Sequence, residues 1–250
     1  MWYNKKKTEE IRLLIIDPHI HLLPGLGDGP ADEKEAAEML VSLDKAGVSA
    51  AVAVTHLDLS RMQDHVHFPL RVHEAQRAVL SAQKAVRSRL KLVYSYEIDY
   101  EPRLFRNYDM KQYRIPGTDL LPVNFPIGTF DEEDMRDFSY LIQRQHLRPL
   151  ICHFERHILM PGNAKDKLLG IFACEYLISS TSLIFRPIQD VLQRSTIDRR
   201  TFYLCSNAHN ATSRAPILTP EEMRLSGTFQ LALYKKLLQA NAALFHKIVR

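Results

Sequence analysis

The sequence predicts an α/β protein made of parallel strand–helix units. Short apolar, β-rich runs alternate with longer amphipathic ones seven times along 250 residues. No Gly/Ser-rich linker and no internal repeat interrupts the series. Alternation of this kind, as opposed to blocks of strands followed by blocks of helices, is the pattern of βα crossovers. A barrel and an open doubly wound sheet both satisfy it. A single domain over residues 1–250, with a solvated tail over 1–11, is the simpler organisation.

The expected strands, in order, are "LLII" (13–16), "AAVAV" (50–54), "KLVYSY" (91–96), "LLPVNF" (120–125), "PLIC" (149–152), "ACEYLIS" (173–179) and "TFYLC" (201–205). The fourth has the least support, because Pro122 cannot donate to a ladder and is unwelcome in a central strand. Between the first two lies "ADEKEAAEMLVSLDKAG". Acids in its first turn, good helix formers and a terminal Gly47 predict a helix there. "RVHEAQRAVLSAQKAV" and "DEEDMRDFSYLIQRQ" predict two more, and "LSGTFQLALYKKLLQANAALFHKIV" closes the series as one or two helices.

Bulk properties narrow the function. Hydrophobic residues make up 46% and charged residues 25%, so a core can form without disulfide or metal staples. A net charge of +4 is too small to argue for nucleic acid. Three cysteines, Cys152, Cys174 and Cys205, are far apart and unpaired in pattern, as expected in a reducing cytoplasm. The start "MWYNKKKTEE" has no apolar stretch of a signal peptide, and no run approaches 18 apolar residues, so membrane insertion is not expected.

The unusual residues fall at strand ends. His19 and His21 follow the first strand, His56 the second and Glu97 the third. His153, Glu155 and Arg156 follow the fifth, and Asn207 and His209 the last. In a parallel barrel these ends share one face, where active sites are built. Side chains at i and i+2 of extended backbone point the same way, so His19 with His21, and Asn207 with His209, can each grip one point. Pro24 and Gly25 fold the chain back so that Asp28 can re-enter. Imidazole nitrogens with carboxylate oxygens suit zinc, manganese or iron(II). About seven ligands are more than one ion needs, which implies two or three, with Glu97 as the bridge. A lone histidine is more often packing or surface, and His65, His67, His73, His146, His157 and His246 are read that way. Cys152 and Cys205 are read as small buried hydrophobes.

"DPHIHLLPGLGDG", "VTHL", "YEI", "CHFERH" and "SNAHNATSRAP" occur in the order seen in PHP-domain phosphoesterases. The chain most resembles their manganese-dependent bacterial capsule/exopolysaccharide tyrosine-phosphatase branch. The resemblance runs from about residue 13 to about residue 218. It implies a distorted seven-stranded (β/α) barrel with a trinuclear centre, manganese first and iron or zinc as alternatives. It further implies attack by a metal-bridged hydroxide on phosphotyrosine of a partner tyrosine autokinase that controls polysaccharide export. By position, His19 and His21 would hold one ion with Glu97 and Asn207, and Glu97 would bridge to a second ion with His153. Asp28, His56 and His209 would serve the third, while Arg156 and Arg214 would hold phosphate. No side chain need act as nucleophile, and the Cys-x5-Arg signature of thiol phosphatases is absent.

Several positions depart from that pattern. Asn207 stands where the family has Asp, Asn124 and Gly27 stand where acids are common, and Thr55 and Phe154 replace prolines. Three of these changes subtract negative charge from a site that must hold cations. Two other outcomes follow from the same residues: a metal-poor binding module without turnover, and a small-molecule phosphatase such as one for histidinol phosphate.

Overall fold

The structure, a computed structural model, describes residues 14–60, 67–197 and 200–248. The expected tail over 1–11, Leu13 and His65 lie outside the described residues.

All seven expected strands form: β1 (Ile15–Ile20), β2 (Val48–Leu57), β3 (Lys91–Asp99), β4 (Leu120–Asn124), β5 (Arg148–Ile151), β6 (Glu175–Ser179) and β7 (Phe202–Cys205). They pair in parallel in sequence order, and β7 returns beside β1. Sequential order with the two edges meeting is a nearly closed barrel; a doubly wound sheet would reverse its order midway.

Helices α1 (Glu33–Lys45) and α2 (His67–Val86) cover the first units. Asp32 caps α1 through the Glu35 amide, and Glu35 reaches back to the Ala31 amide. Ala36, Met39, Leu40 and Leu43 recur at helical spacing and are buried. Each Leu or Met there contributes roughly 2 kcal/mol by leaving water. Helix α3 (Leu104–Asn107) is one short turn, and α4 (Glu132–Arg144) starts on a capping box of Asp131 and Asp134. Helices α5 (Phe154–Leu159), α6 (Ala164–Gly170) and α7 (Arg186–Ile197) follow β5 and β6. Helix α8 (Thr228–Ile248) is one continuous element. Helices α3, α5, α6 and α7 were not expected from the sequence. The first three are too short to show a period.

Pro122 lies inside β4 after all, opposite Leu150 of β5. Asn124 turns its carbonyl toward the Tyr100 amide just past β3, and Pro122, two residues earlier, faces the same side. The β3–β4 ladder begins only at Ile98 and Val123, so no partner waits for the missing proline N–H.

The C-terminal helix supplies the barrel's floor. Inward residues of β4–β7 (Leu120, Leu150, Leu177, Tyr203) pack on Leu244, and Ile16 of β1 and Ala50 of β2 pack on Phe245. The β1–β7 seam lacks a regular ladder. Asn241 of α8 enters it, donating to the Ile16 carbonyl (2.8 Å) and the Leu204 carbonyl (2.7 Å) and accepting from the Leu204 amide (3.1 Å). Higher up, the Asn207 amide donates to the His19 carbonyl and the His21 amide to the Ala208 carbonyl.

Candidate metal centre

Ile16 faces the barrel interior, and so does His19 three residues later. Strict alternation forbids that. The register against β2 slips between Asp17 and Ile20, and this irregularity reverses the phase of β1. It turns His19 and His21 inward and leaves Ile20 among the outer residues packed on α1. Asp17 anchors the distortion: its carboxylate accepts from the Ser206 hydroxyl, the Ser206 amide and the His19 amide. Burial raises Asp17 to about 6, against the pull of those bonds.

Glu97 is the centre of the group. It is fully buried on β3, directly opposite His56 of β2 in the ladder. The His153 Nε2 stands 2.9 Å from its Oε1. His19 Nε2 and His21 Nε2 each stand 3.1 Å from its Oε2, and His56 Nε2 stands 3.8 Å from it. Burial opposes ionisation of Glu97, but the nearby His19 and His153 imidazoles outweigh it and hold the carboxyl well below its usual range.

A second group shares His21. Asp28 Oδ1 lies 3.6 Å from His21 Nδ1 and 3.6 Å from His56 Nε2, and its Oδ2 lies 2.9 Å from His209 Nδ1. The loop that returns Asp28 is tied by the Gly25 amide to the Pro30 carbonyl and the Gly29 amide to the Leu26 carbonyl. A Cβ on Gly29 would stand 2.8 Å from the Leu23 carbonyl, so only glycine fits that return. His209 Nε2 meets Asn207 Oδ1 at 3.1 Å, and Arg214 Nη1 meets Asp28 Oδ2 at 2.9 Å. Asn207 and His153 both hold φ near +50°, a conformation L residues rarely adopt and one concentrated at functional sites.

Burial lowers His21 to about 4 and His209 to about 3, which favours the neutral rings. Burial also pulls His56 down, but Asp99, Glu97 and Asp28 outweigh it and push His56 up to about 9.

These residues fit divalent cations. His19 Nε2, His21 Nε2 and Glu97 Oε2 are buried, converge, and have no hydrogen-bond partner among the described residues. Leaving three such atoms unsatisfied costs several kcal/mol, roughly 1–3 each. A cation among them would satisfy all three. His21 with His56 and Glu97, and His21 with Asp28 and His209, each present three donor atoms within 4.8 Å of one another. Imidazole nitrogens and carboxylate oxygens are donors for manganese, iron or zinc. Cys152 Sγ lies 3.9 Å from His19 Nδ1 and backs that ring. Burial pushes the Cys152 thiol up, which suits a packing role more than ligation.

The barrel thus brings His19, His21, Asp28, His56, Glu97, His153, Asn207 and His209 to one place. Arg214 joins it through Asp28. Arg156 is exposed on α5, three residues past His153, and makes no ion pair among the described residues. Its neighbour Glu155 instead turns inward and accepts from the Ser179 amide. The sequence reading missed Asp99, which lies 3.1 Å from His56 Nδ1 and accepts from Asn124 Nδ2 at 2.8 Å. Its signal was the i+2 spacing from Glu97 in "YEID". The reading also gave no role to Asp17, which has the same spacing from His19.

Comparison with known proteins bears on the fold and the family. A chain from the crystal structures of YwqE from Bacillus subtilis and CpsB from Streptococcus pneumoniae, which are metal-dependent tyrosine phosphatases, is 19% identical; the match covers 90% of this chain and 95% of that one, with a TM-score of 0.64. N-isopropylammelide isopropylaminohydrolase from Burkholderia multivorans is 10% identical, with 92% of this chain and 74% of that one covered and a TM-score of 0.52. Both likenesses speak to the fold. Residues 15–247 match the family model described as capsular polysaccharide synthesis, CpsB/CapC, and the chain therefore belongs to the CpsB/CapC family.

Proposed function

We propose that this protein is a divalent-metal-dependent phosphatase that hydrolyses protein phosphotyrosine, with a tyrosine autokinase of capsule synthesis as its partner, in the cytoplasm. One observation carries the reading: the buried Glu97 carboxylate faces four histidine nitrogens, and three of the converging atoms have no hydrogen-bond partner among the described residues. The ligand set favours two or three ions, manganese first.

Bound cations would supply Lewis acidity toward the phosphoryl oxygens and acidify the attacking water. The chain's own residues do the rest. Arg214, at the mouth beside Asp28, presents a guanidinium to the non-bridging oxygens of a dianion, and Arg156 offers a second from α5. His21 and His209, held neutral by burial, would offer lone pairs to a bound cation. No thiol is needed as nucleophile, and burial pushes Cys152, Cys174 and Cys205 up, away from the reactive thiolate. The kinship with capsule synthesis supports a phosphorylated partner from the same process.

A second reading has its own support. Both nitrogens of His209 are engaged, one by Asp28 and one by Asn207, and Asp28 also pairs with Arg214. A chain that kept these contacts would bind a phosphorylated partner without turnover. Metal analysis and a phosphotyrosine-peptide assay separate the two. At least two ions per chain with turnover that EDTA abolishes supports the phosphatase; no metal after manganese loading, with peptide binding intact, supports the binding module. Indifference to phosphotyrosine with rapid cleavage of histidinol phosphate would move the substrate to small molecules.

A further inference from the structure

We propose that Asp99 is a positioning residue that sets the orientation of the His56 ring, with Asn124 as its brace. The inference rests on the metal-site reading above. The three residues occupy three adjacent strands. His56 stands opposite Glu97 in the β2–β3 ladder, and Asp99 stands opposite Asn124 in the β3–β4 ladder. Asp99 lies two residues past Glu97, so it faces the same interior and meets His56 on the diagonal.

The contacts form a chain. Asn124 Nδ2 donates to Asp99 Oδ1 at 2.8 Å, and the same oxygen lies 3.1 Å from His56 Nδ1. The carboxylate oxygen accepts in this bond, so His56 donates from Nδ1. That leaves Nε2 facing Asp28 Oδ1 at 3.6 Å and Glu97 Oε2 at 3.8 Å. A half-turn of the ring about Cβ–Cγ would exchange Nδ1 with Cδ2 and Nε2 with Cε1. Stacking on His21, with centroids 5.0 Å apart, tolerates either orientation. The Asp99 bond does not: at 3.1 Å it is the shortest of the ring's contacts named here, and it holds Nδ1 toward Asp99. A neutral Asn124 suits this work: its amide donates to Asp99, where a second carboxylate would repel it.

The test uses the full-length protein, freed of metal and titrated with Mn2+ and, for spectroscopy, with Zn2+. Asp99→Leu should weaken cation binding by about 10–100-fold, the usual loss when the carboxylate behind a ligating histidine is removed. Asp99→Asn keeps an acceptor and should recover most of that loss. Asn124→Leu should cost less than Asp99→Leu. In the Zn2+-loaded protein, nitrogen-15 spectra should show His56 protonated on Nδ1 in the wild type and Asp99→Asn, with that signature lost in Asp99→Leu. A role confined to stability would lower the melting temperature without moving the ring signature.

The proposal is overturned if Asp99→Leu binds cations as the wild type does with an unchanged ring signature. It is also overturned if Asp99→Asn binds as poorly as Asp99→Leu, because Asp99 would then be a ligand itself. A wild type that binds no divalent cation overturns the metal-site reading and this inference with it. A wild type that binds cations but leaves phosphotyrosine intact overturns only the phosphatase.

Discussion

Asn241 and Leu204 exchange hydrogen bonds across the barrel seam: the Asn241 amide donates to the Leu204 carbonyl and accepts from the Leu204 amide. The same side chain also donates to Ile16, so one residue of α8 satisfies the facing edges of β1 and β7. Asn241→Leu is isosteric enough to fold but leaves three backbone groups without partners. It should destabilise the protein by about 3–5 kcal/mol, read from the urea midpoint. His19 and His21 lie on one side of the seam and Asn207 and His209 on the other, so manganese affinity should fall with it. Unchanged stability would mean that water or a shift of α8 replaces the amide.

Glu97→Gln removes the charge on which His19, His21, His56 and His153 converge. Bound metal should drop below the wild-type count, and phosphotyrosine turnover should fall by about a thousandfold or more. Elemental analysis and a steady-state assay read the two effects separately. Wild-type metal content in this variant would place the bridge elsewhere.

Asn207→Asp restores a negative charge beside His209 Nε2. Metal binding should tighten by roughly tenfold, since carboxylate count tunes affinity in oxygen-rich sites. The kcat/KM for a phosphotyrosine peptide should rise as well. Calorimetric titration of the metal-free protein checks the first effect and initial rates the second.

His157 gives the fold a pH dependence of its own. The ring is buried beside Phe125 and Phe154, its Nδ1 has no partner among the described residues, and burial lowers it to about 4. The unfolded chain binds the proton near pH 6.5, so the stabilisation is complete above that value. It is lost as pH falls from about 6.5 toward 4, by about 1–3 kcal/mol in all. His157→Phe should flatten that part of the stability profile. An unaltered slope in urea unfolding between pH 7 and pH 4 would assign the dependence to other groups.

Much of the architecture was legible because each strand is a short apolar run, and most of them are followed by a polar outlier. His56, Glu97 and His153 stood out for that reason, and the barrel had only to bring the strand ends together. Pro122 shows where a local rule misleads: the proline is tolerated because a ladder not visible in the sequence begins one residue later. Asp17 shows the opposite failure. Its use depends on a phase slip in β1 and on Ser206, almost the whole chain away. Asn241 could not have been chosen from its sequence neighbours either, since an asparagine in a long helix reads as surface and only the meeting of β1 and β7 gives it a partner. Asp99 was within reach, because its spacing from Glu97 matches the one that singled out His19 and His21.

The floor under the barrel carries a consequence for how the molecule is made. Leu244 and Phe245 close over residues as early as Ile16 and Ala50, so those contacts span nearly the full sequence. On the ribosome, at about 5–20 residues per second, every strand emerges before α8 does. Until then the sheet has a bare β1 edge and an uncovered greasy interior, the two features that invite aggregation. Nascent-chain lengths that stop short of residue 241 should therefore be the ones that engage chaperones most strongly.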